Sequence, residues 1–183
     1  MKKLALMTMA ALAMTFTACG NKNGEKAESN GENAENVESE AAYITYTNDK
    51  YGFTMEVPNG LYQNEEPTAT NEDGTIYLIE KGGLVFNSIS VTGGKQIFDE
   101  DYTPEKVKAE YEEEMEGKED VASQECGDDY FTYTIKGDYC TEIHRNVYSG
   151  PKRVYLTICY EPEHEAQLGG EVAEHVAQSL KFK

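Results

Sequence analysis

The stretch that decides the fold is "YCTEIHRNVYSGPKRVYLTICY", residues 139–160, in which two β-rich halves flank a short turn. Because side chains alternate between the two sides of a strand, the second half places four apolar residues on one face: Val154, Leu156, Ile158 and Tyr160. The turn "SGPK" (149–152) is too short to connect anything but antiparallel strands. Across this turn, Ile143 and Val147 meet the same apolar face. The stretch therefore predicts a β-hairpin that faces the core.

The remainder of the chain from residue 43 onward is also rich in strand patterns. Segments of apolar residues bounded by turn residues predict five more strands. These are "YITYT" (43–47), "FTMEV" (53–57), "TIYLIE" (75–80), "LVFNSISVT" (84–92) and "DYFTYTIK" (129–136). Gly82 and Gly83 predict a hairpin between the third and the fourth of these strands.

Two segments carry the signals of helices. Thr103 suits an N-cap and precedes a proline, and Gly117 suits a C-terminal stop, so a helix is expected over 104–116. Its narrow apolar stripe consists of Val107, Tyr111 and Met115. A second helix is expected after Pro162, with its apolar residues at Leu168, Val172, Val176 and Leu180. The glycine pair 169–170 weakens the start of that helix.

The element order β-β, β-β, α, β-β-β, α and three short motifs resemble the PsbP/Mog1-like superfamily. The motifs are "YGFTMEVP" (51–58), "TPE" (103–105) and "SLKF" (179–182). The resemblance implies an α+β fold over most of residues 43–183, an α/β/α sandwich in which helices flank an antiparallel sheet. Its members include bacterial lipoproteins, an extrinsic photosystem II subunit and a Ran-binding protein, and they share a fold and not an active site. Members often have a Trp shortly after the proline, where this chain has Leu61 and Tyr62.

The first residues predict a lipoprotein signal peptide, residues 1–18. Two lysines precede an apolar run of thirteen residues, which is shorter than the roughly 20 residues that a spanning helix needs. The sequence "FTAC" (16–19) resembles a bacterial lipobox, with Phe in place of the usual Leu. The resemblance implies that Cys19 is acylated and becomes the mature N-terminus, and the alternative is an ordinary signal peptide with an incidental cysteine. Gly20 follows Cys19, and by resemblance to enterobacterial sorting this favours the outer membrane.

Residues 19–42 predict an acylated N-terminus followed by a disordered acidic tether. From residue 20 to 42 the chain has six glutamates, two lysines and no aromatic residue. Such a segment buries too little apolar surface to offset its conformational entropy, and its root-mean-square span is about 25–30 Å. Without the signal peptide the chain has 14 basic and 34 acidic residues, a net charge of −20. That charge repels nucleic acid and anionic membrane surfaces.

No motif in the sequence predicts a catalytic site, a cofactor or a metal site. The segment "NEDGTIYLIE" (71–80) resembles part of a calcium loop, but Ala69 stands at the first ligand position. His164 and the glutamate after it begin an H-E-x-x-H pattern in which leucine replaces the second histidine. His144 is expected to lie alone on its strand, and His175 lies about 16 Å from His164 along a helix. An enzyme is therefore not expected.

The cysteines and two tyrosines remain as candidate site residues. In the hairpin register Cys159 opposes Glu142, and Cys140 is a diagonal neighbour of Cys159. A disulfide between Cys140 and Cys159 is one alternative, and reduced, buried thiols are the other. Tyr148 and Tyr155 point away from the core face of the hairpin. They belong either to a core beneath a helix or to an exposed aromatic strip that contacts a partner.

Together these observations favour a non-enzymatic, lipid-anchored protein whose domain contacts another protein of the bacterial envelope. The alternative is a carrier or chaperone that shields an apolar ligand or a hydrophobic segment between the sheet and the first helix. The alternative requires a cavity beside the stripe of Val107, Tyr111 and Met115. The sequence does not identify the partner.

Overall fold

A computed structural model describes residues 42–64, 73–96 and 100–183. The predicted signal peptide, Cys19 and all but the last residue of the predicted tether lie outside the described residues. Within the described part of the chain, no helix has both the length and the apolar character to cross a membrane.

The described residues form ten strands, three α-helices and one 3₁₀ turn. The strands are β1 (Tyr43–Asn48), β2 (Phe53–Pro58), β3 (Tyr62–Gln63), β4 (Gly74–Leu78), β5 (Ser88–Lys95), β6 (Val121–Cys126), β7 (Tyr130–Lys136), β8 (Thr141–Ser149), β9 (Lys152–Tyr160) and β10 (Lys181–Phe182). The helices are α1 (Pro104–Met115), α2 (Glu165–Leu168) and α3 (Gly170–Ser179), and the 3₁₀ turn spans Pro162–His164.

The strands form two antiparallel sheets. The smaller has the order β1-β2-β10, and the larger has the order β3-β4-β5-β9-β8-β7-β6. In the larger sheet Ile143 pairs with Ile158, and Val147 pairs with Val154. The hairpin register predicted from the short turn is therefore confirmed, as is the α+β architecture of an antiparallel sheet flanked by helices.

The main hydrophobic core lies between one face of the larger sheet, the smaller sheet and helices α2 and α3. The predicted alternation of β2 is confirmed, since Phe53, Met55 and Val57 are fully buried. They pack with Leu156 and Ile158 of β9, on the face that the hairpin pattern predicted. The second helix is interrupted at the glycine pair: Leu168 ends α2, and Gly170, with φ of +52°, begins α3.

A second, smaller core lies on the opposite face of the larger sheet, beneath α1. Thr103 caps the helix as predicted, because its side-chain oxygen accepts a hydrogen bond from the backbone N–H of Lys106 at 3.4 Å. Val107 is buried against three aromatic side chains of the sheet, with Tyr111 and Met115 packed at the edge of the cluster. The aromatic residues are Phe131, Tyr133 and Tyr148.

One predicted strand begins later than expected, and strands β3, β6 and β10 were not predicted. The segment predicted as a strand from Leu84 enters the sheet only at Ser88, and Leu84 to Phe86 lie in the β4–β5 connection. The late start has a physical cause in Asn87, whose side chain makes two hydrogen bonds with Glu161, the residue that follows β9. Nδ2 of Asn87 donates to Oε2 of Glu161 at 2.8 Å, and Oδ1 of Asn87 accepts from the backbone N–H of Glu161 at 2.9 Å. Strand β6 was missed because it lies at the edge of the sheet and its side chains are largely exposed.

Candidate functional site

Helix α1 covers only part of its face of the larger sheet, and beside it lies a polar strip. The strip follows the end of β8 that starts with Thr141 and the paired end of β9. Its side chains are Cys140, Glu142, His144, Tyr155, Thr157 and Cys159, which share this face by strand alternation. The same alternation places the Val154 side of β9 in the main core.

His144 is the centre of this polar strip. Its side chain is only 8% exposed, and its ring stacks on Tyr133 with centroids 4.6 Å apart and planes inclined by 20°. Nε2 lies 3.0 Å from Oε2 of Glu142, and Nδ1 lies 2.6 Å from the hydroxyl of Tyr155. The expectation that His144 lies alone was therefore wrong, because three neighbouring strands each supply a partner.

The hydrogen-bond network assigns the protons at His144. A carboxylate only accepts hydrogen bonds, so Nε2 of His144 carries a proton and donates a hydrogen bond to Glu142. Nδ1 of His144 then accepts a hydrogen bond from the hydroxyl of Tyr155. Burial lowers the pKa of His144, against the opposing effect of the hydrogen bond to Glu142. The imidazole is therefore neutral at pH 7, and each of its nitrogens is already engaged.

Tyr133 connects this strip to helix α1. Its hydroxyl donates to Oε1 of Glu114 at 2.8 Å, and Nζ of Lys118 lies 3.0 Å from the same carboxylate and 4.9 Å from the Tyr133 ring centroid. Burial alone would raise the pKa of Glu114, but hydrogen bonds from Lys118 and Tyr133 outweigh it and lower the pKa. Burial, followed by the bond to Glu114, raises the pKa of Tyr133. These contacts fix α1 on the sheet.

A cleft of about 430 Å³ lies between α1 and strands β5 and β9. Its lining combines the charged side chains of Glu110, Glu114 and Arg153 with the polar side chains of Thr92, Asn146 and Tyr155, the ring of Phe131 and the glycine backbone of residues 93–94. Arg153 and Glu110 form an ion pair across it, with Nη1 and Oε1 2.8 Å apart. The apolar stripe of α1 packs against the aromatic cluster instead of lining an apolar cavity. None of Val107, Tyr111 and Met115 lines this cleft, so it is not the cavity beside the stripe that the carrier alternative requires.

At one end of the polar strip lie two cysteines and a carboxylate. One ligand atom each of Cys140, Glu142 and Cys159 lies within 4.8 Å of the other two, and both thiols are free. Burial raises the pKa of Cys159 to about 12, with a further contribution from Cys140. Cys159 is therefore no activated nucleophile. The Cys140–Cys159 disulfide stays a prediction, and Cys126 is exposed and outside this cluster.

The most exposed apolar side chains of the described residues lie at this same end of the sheet. Leu84, Val85 and Phe86 are 65%, 63% and 61% exposed, and Tyr139, in the β7–β8 turn, is 85% exposed. We call the segment Leu84–Phe86 the apolar loop. It precedes Ser88, which pairs with Cys159, and so it adjoins the start of β8 through β9.

Acidic side chains border the apolar loop. A cavity of about 380 Å³ beside Leu84 is lined by Glu80, Glu161 and Glu163, among others. Sequence reasoning missed this surface because consecutive apolar residues were assigned to a strand. The hairpin predicted at Gly82 and Gly83 is confirmed by the antiparallel pairing of β4 with β5, but the connection is longer than expected and spans residues 79–87.

The tyrosines singled out in the sequence have different positions. Tyr148 is 3% exposed and packs beneath α1 with Tyr102 and Phe131, so it belongs to the core. Tyr155 is 37% exposed and lines the cleft between α1 and strands β5 and β9, while its hydroxyl bonds to His144. Of the two alternatives, the core applies to Tyr148, and a partner contact stays a prediction for Tyr155.

The other two histidines and the calcium-like segment form separate local contacts. The ring of His175 in α3 packs against Tyr43 at a tilt of 33°, and its Nε2 lies 2.7 Å from a carboxylate oxygen of Glu56. Nδ1 of His164 lies 2.9 Å from Oε1 of Gln167. Asp73 accepts a hydrogen bond from the Tyr51 hydroxyl at 3.0 Å and pairs with Lys50 at 2.7 Å. The calcium-loop positions Ala69 and Asn71 lie outside the described residues.

Comparison of the sequence with known proteins finds no matching family model and no matching curated protein. The structure is similar to that of the cyanobacterial PsbP (CyanoP) from Synechocystis sp. PCC 6803, with a TM-score of 0.53 at 16% identity, over 78% of this chain and 94% of that one. A protein from Bacteroides thetaiotaomicron VPI-5482 gives a TM-score of 0.49 at 12% identity, over 78% of this chain and 49% of that one. The Saccharomyces cerevisiae Ran-binding protein Mog1p gives 0.46 at 10% identity, over 76% of this chain and 95% of that one. At these identities the similarity to CyanoP establishes the fold alone, and the predicted PsbP-like fold is confirmed.

Proposed function

We propose that this chain is a lipoprotein of the bacterial cell envelope whose PsbP-like domain binds a partner protein through the apolar loop. In this proposal acylated Cys19 anchors the chain, in the outer membrane where the cell has one, and residues 20–42 give the domain reach. The observation that carries the proposal is that Leu84, Val85 and Phe86 are each more than 60% exposed. Consecutive large apolar side chains at this exposure mark an interaction surface.

The charges around the apolar loop favour a protein partner over a lipid surface. Glu80, Glu161 and Glu163 lie beside it, and the chain carries a net charge of −18. Anionic headgroups are repelled by such a surface, whereas an apolar pocket with a rim of lysine or arginine complements it. Tyr139 extends the apolar contact at the same end of the sheet, and tyrosine is enriched in protein interfaces.

The polar strip supports a non-enzymatic role for the domain. Glu142 and Tyr155 each bond to His144, and Tyr133 bonds to Glu114 of α1. These side chains satisfy each other's hydrogen-bonding groups inside the fold, as buried polar groups do in a structural network. The neutral imidazole of His144 has no unengaged nitrogen with which to act on a substrate.

The test is co-purification from native membranes with the mature lipoprotein as bait. The wild type should retain a stoichiometric partner, and the triple variant L84S/V85S/F86S should bind it at least about 100-fold more weakly. This magnitude follows because buried apolar anchors at an interface each contribute on the order of 1–2 kcal/mol and every 1.4 kcal/mol is about tenfold in affinity. The affinity is then measured by titration of the purified partner.

The matched control is Ile44→Ser, which removes another exposed apolar side chain, 41% exposed, from β1 of the smaller sheet. This variant should keep wild-type affinity. Thermal unfolding of all variants should stay close to wild type, because the substituted side chains are solvent-exposed. Equal affinity in the wild type and the triple variant would show that the apolar loop is not the binding surface.

A further inference from the structure

The cluster of Cys140, Glu142 and Cys159 has the donor atoms of a metal site. Two thiols and a carboxylate have their ligand atoms within 4.8 Å of one another, and Cys140 Sγ lies 3.9 Å from Oε1 of Glu142. Around a tetrahedral Zn²⁺ with its usual bond lengths, two sulfurs are about 3.8 Å apart, and a sulfur and an oxygen are about 3.5 Å apart. The three side chains are therefore nearly at ligating separations.

The strand register favours a bridging metal over a direct disulfide. Cys159 pairs with Glu142, and Cys140 stands two residues before Glu142, so the two cysteines are diagonal neighbours. Diagonal Cα atoms are about 7–8 Å apart, beyond the roughly 6.8 Å that disulfides tolerate. A metal ion spans this gap, because it holds the sulfurs about 3.8 Å apart where a disulfide requires about 2.05 Å.

We propose that Cys140, Cys159 and Glu142 bind one Zn²⁺ ion. Two thiolates and a carboxylate are zinc ligands, and thiolates select zinc over magnesium and calcium. Three protein ligands leave a fourth position for water or for a donor from a partner. Neither the spacing of these residues in the sequence nor any complete motif indicates such a site, since the strand pairing alone brings them together.

The surroundings of the cluster suit such a site. Cys159 is 8% exposed, so one sulfur lies in a low-dielectric position where a bound cation is little screened. His144 donates from Nε2 to the second oxygen of Glu142 and leaves Oε1 directed at Cys140. Hydrogen bonds of this kind orient metal-ligating side chains. His144 is thus a positioning residue for Glu142.

The site also has a consequence for the end of the sheet. A metal ion held by Cys140 and Cys159 links the start of β8 to the end of β9, and Ser88 at the base of the apolar loop pairs with Cys159. Zinc binding therefore stabilises the strands beside the apolar loop. This inference stands apart from the proposed function, because zinc affinity is measured without any protein partner.

The test is a titration of the mature, detergent-solubilised and fully reduced chain with Zn²⁺ in competition with a chromophoric chelator. The wild type should bind one Zn²⁺ per chain, and C140S and C159S should bind it at least about 100-fold more weakly. Glu142→Gln should weaken binding at least about tenfold, because the amide oxygen is a poorer ligand than a carboxylate. The matched control is C126S, which removes the exposed third cysteine and should leave the affinity unchanged.

Co²⁺ provides a second readout that a loss of folding does not imitate. In the wild type and C126S it should give thiolate-to-cobalt charge-transfer absorption, while circular dichroism confirms that Glu142→Gln and the cysteine variants stay folded. Zinc binding as tight in the double variant C140S/C159S as in the wild type would overturn the inference. Protein drawn from cells with a Cys140–Cys159 disulfide, together with no zinc binding after reduction, would overturn it as well.

Discussion

At the scale of single residues, His144 shows how a polar side chain is accommodated inside this fold. A buried imidazole costs free energy unless its nitrogens are hydrogen-bonded. Glu142 supplies the acceptor from the same strand, and Tyr155 supplies the donor from β9. The stacked ring of Tyr133 closes the third side. The positions of Tyr133, Glu142 and Tyr155 around His144 depend on the register of strands β7, β8 and β9. A change in that register would therefore break the hydrogen bonds and the ring contact of His144.

Tyr155→Phe tests this network at a single atom. The substitution removes the hydroxyl that donates to Nδ1 of His144 at 2.6 Å and keeps the ring. Nδ1 of His144 then loses its short hydrogen bond, and the other hydroxyl near it, Oγ1 of Thr157, is 3.5 Å away. We expect the free energy of unfolding to fall by about 1 kcal/mol, as measured by urea denaturation at pH 7.

Tyr139→Phe is the matched control, because Tyr139 is 85% exposed. Its hydroxyl lies in solvent, so the same chemical change should alter the free energy of unfolding by less than about 0.5 kcal/mol. An equal effect of the two substitutions would mean that the contact between Tyr155 and His144 does not contribute to stability.

The sequence predicted the face on which His144 lies but not its partners. Strand alternation and a short turn fix which residues share a side of a hairpin, and that prediction is confirmed by the pairing of Cys159 with Glu142. The contacts of His144 with Tyr133 also depend on β7 and on helix α1, which reaches Tyr133 through Glu114. Such contacts arise from tertiary packing and leave no periodic signal along the chain.

At the scale of secondary-structure elements, the close approach of β4 and β5 depends on one glycine. An added Cβ at Gly74 would lie 1.8 Å from the carbonyl oxygen of Val91 in the neighbouring strand. Real Cβ atoms do not come so close to backbone, so the strands would have to separate there. Gly74 therefore permits the pairing of β4 with β5, the two strands that the apolar loop connects.

We expect Gly74→Ala to lower the free energy of unfolding by roughly 2 kcal/mol or more, because it overpacks a backbone contact. Gly94→Ala in β5 is the matched control, since the nearest atom to its added Cβ is 3.9 Å away. That control should be neutral or slightly stabilising, by about 0.5 kcal/mol. Denaturant unfolding of the two variants measures the contrast, and a Gly74→Ala variant as stable as Gly94→Ala would contradict it.

The elements that the sequence predicted well are those with two agreeing signals. Helix α1 has a cap at Thr103 and an apolar stripe with Val107 buried, and β2 has full alternation. Edge strand β6 has exposed side chains and no alternation, so it carries no periodic signal, and its place in the sheet comes from backbone pairing with β7 and from side-chain hydrogen bonds such as that from Tyr111 to Gln124. The apolar loop has the composition of a strand but lies outside the sheet, with its three apolar side chains exposed.

At the scale of the whole molecule, charge and anchoring are expected to act together. The acidic character of the chain repels anionic membrane surfaces, so the proposed envelope location requires a covalent lipid to hold the domain near a membrane. A single acyl chain gives marginal membrane binding, and stable anchoring requires two or more signals. In the proposed anchor, an N-terminal lipid with several acyl chains on Cys19 meets that requirement.

Cys19→Ser tests this anchoring in the full chain. Without the lipid, nothing offsets the charge repulsion, so the Cys19→Ser chain should move from the detergent phase to the aqueous phase of a detergent-partition experiment. The intact mass of the wild type should exceed the mass of its unmodified mature sequence by the mass of the lipid. Cys126→Ser is the matched control: its thiol lies in the exposed edge strand β6, and its loss should leave partitioning and lipid mass unchanged. A wild-type chain without added lipid, or a Cys19→Ser chain that still carries it, would contradict the anchor.

Because residues 43–183 lie outside the predicted signal peptide and tether, the thermal unfolding of the released domain should match the wild type, and any partner bound through the apolar loop should be released with it.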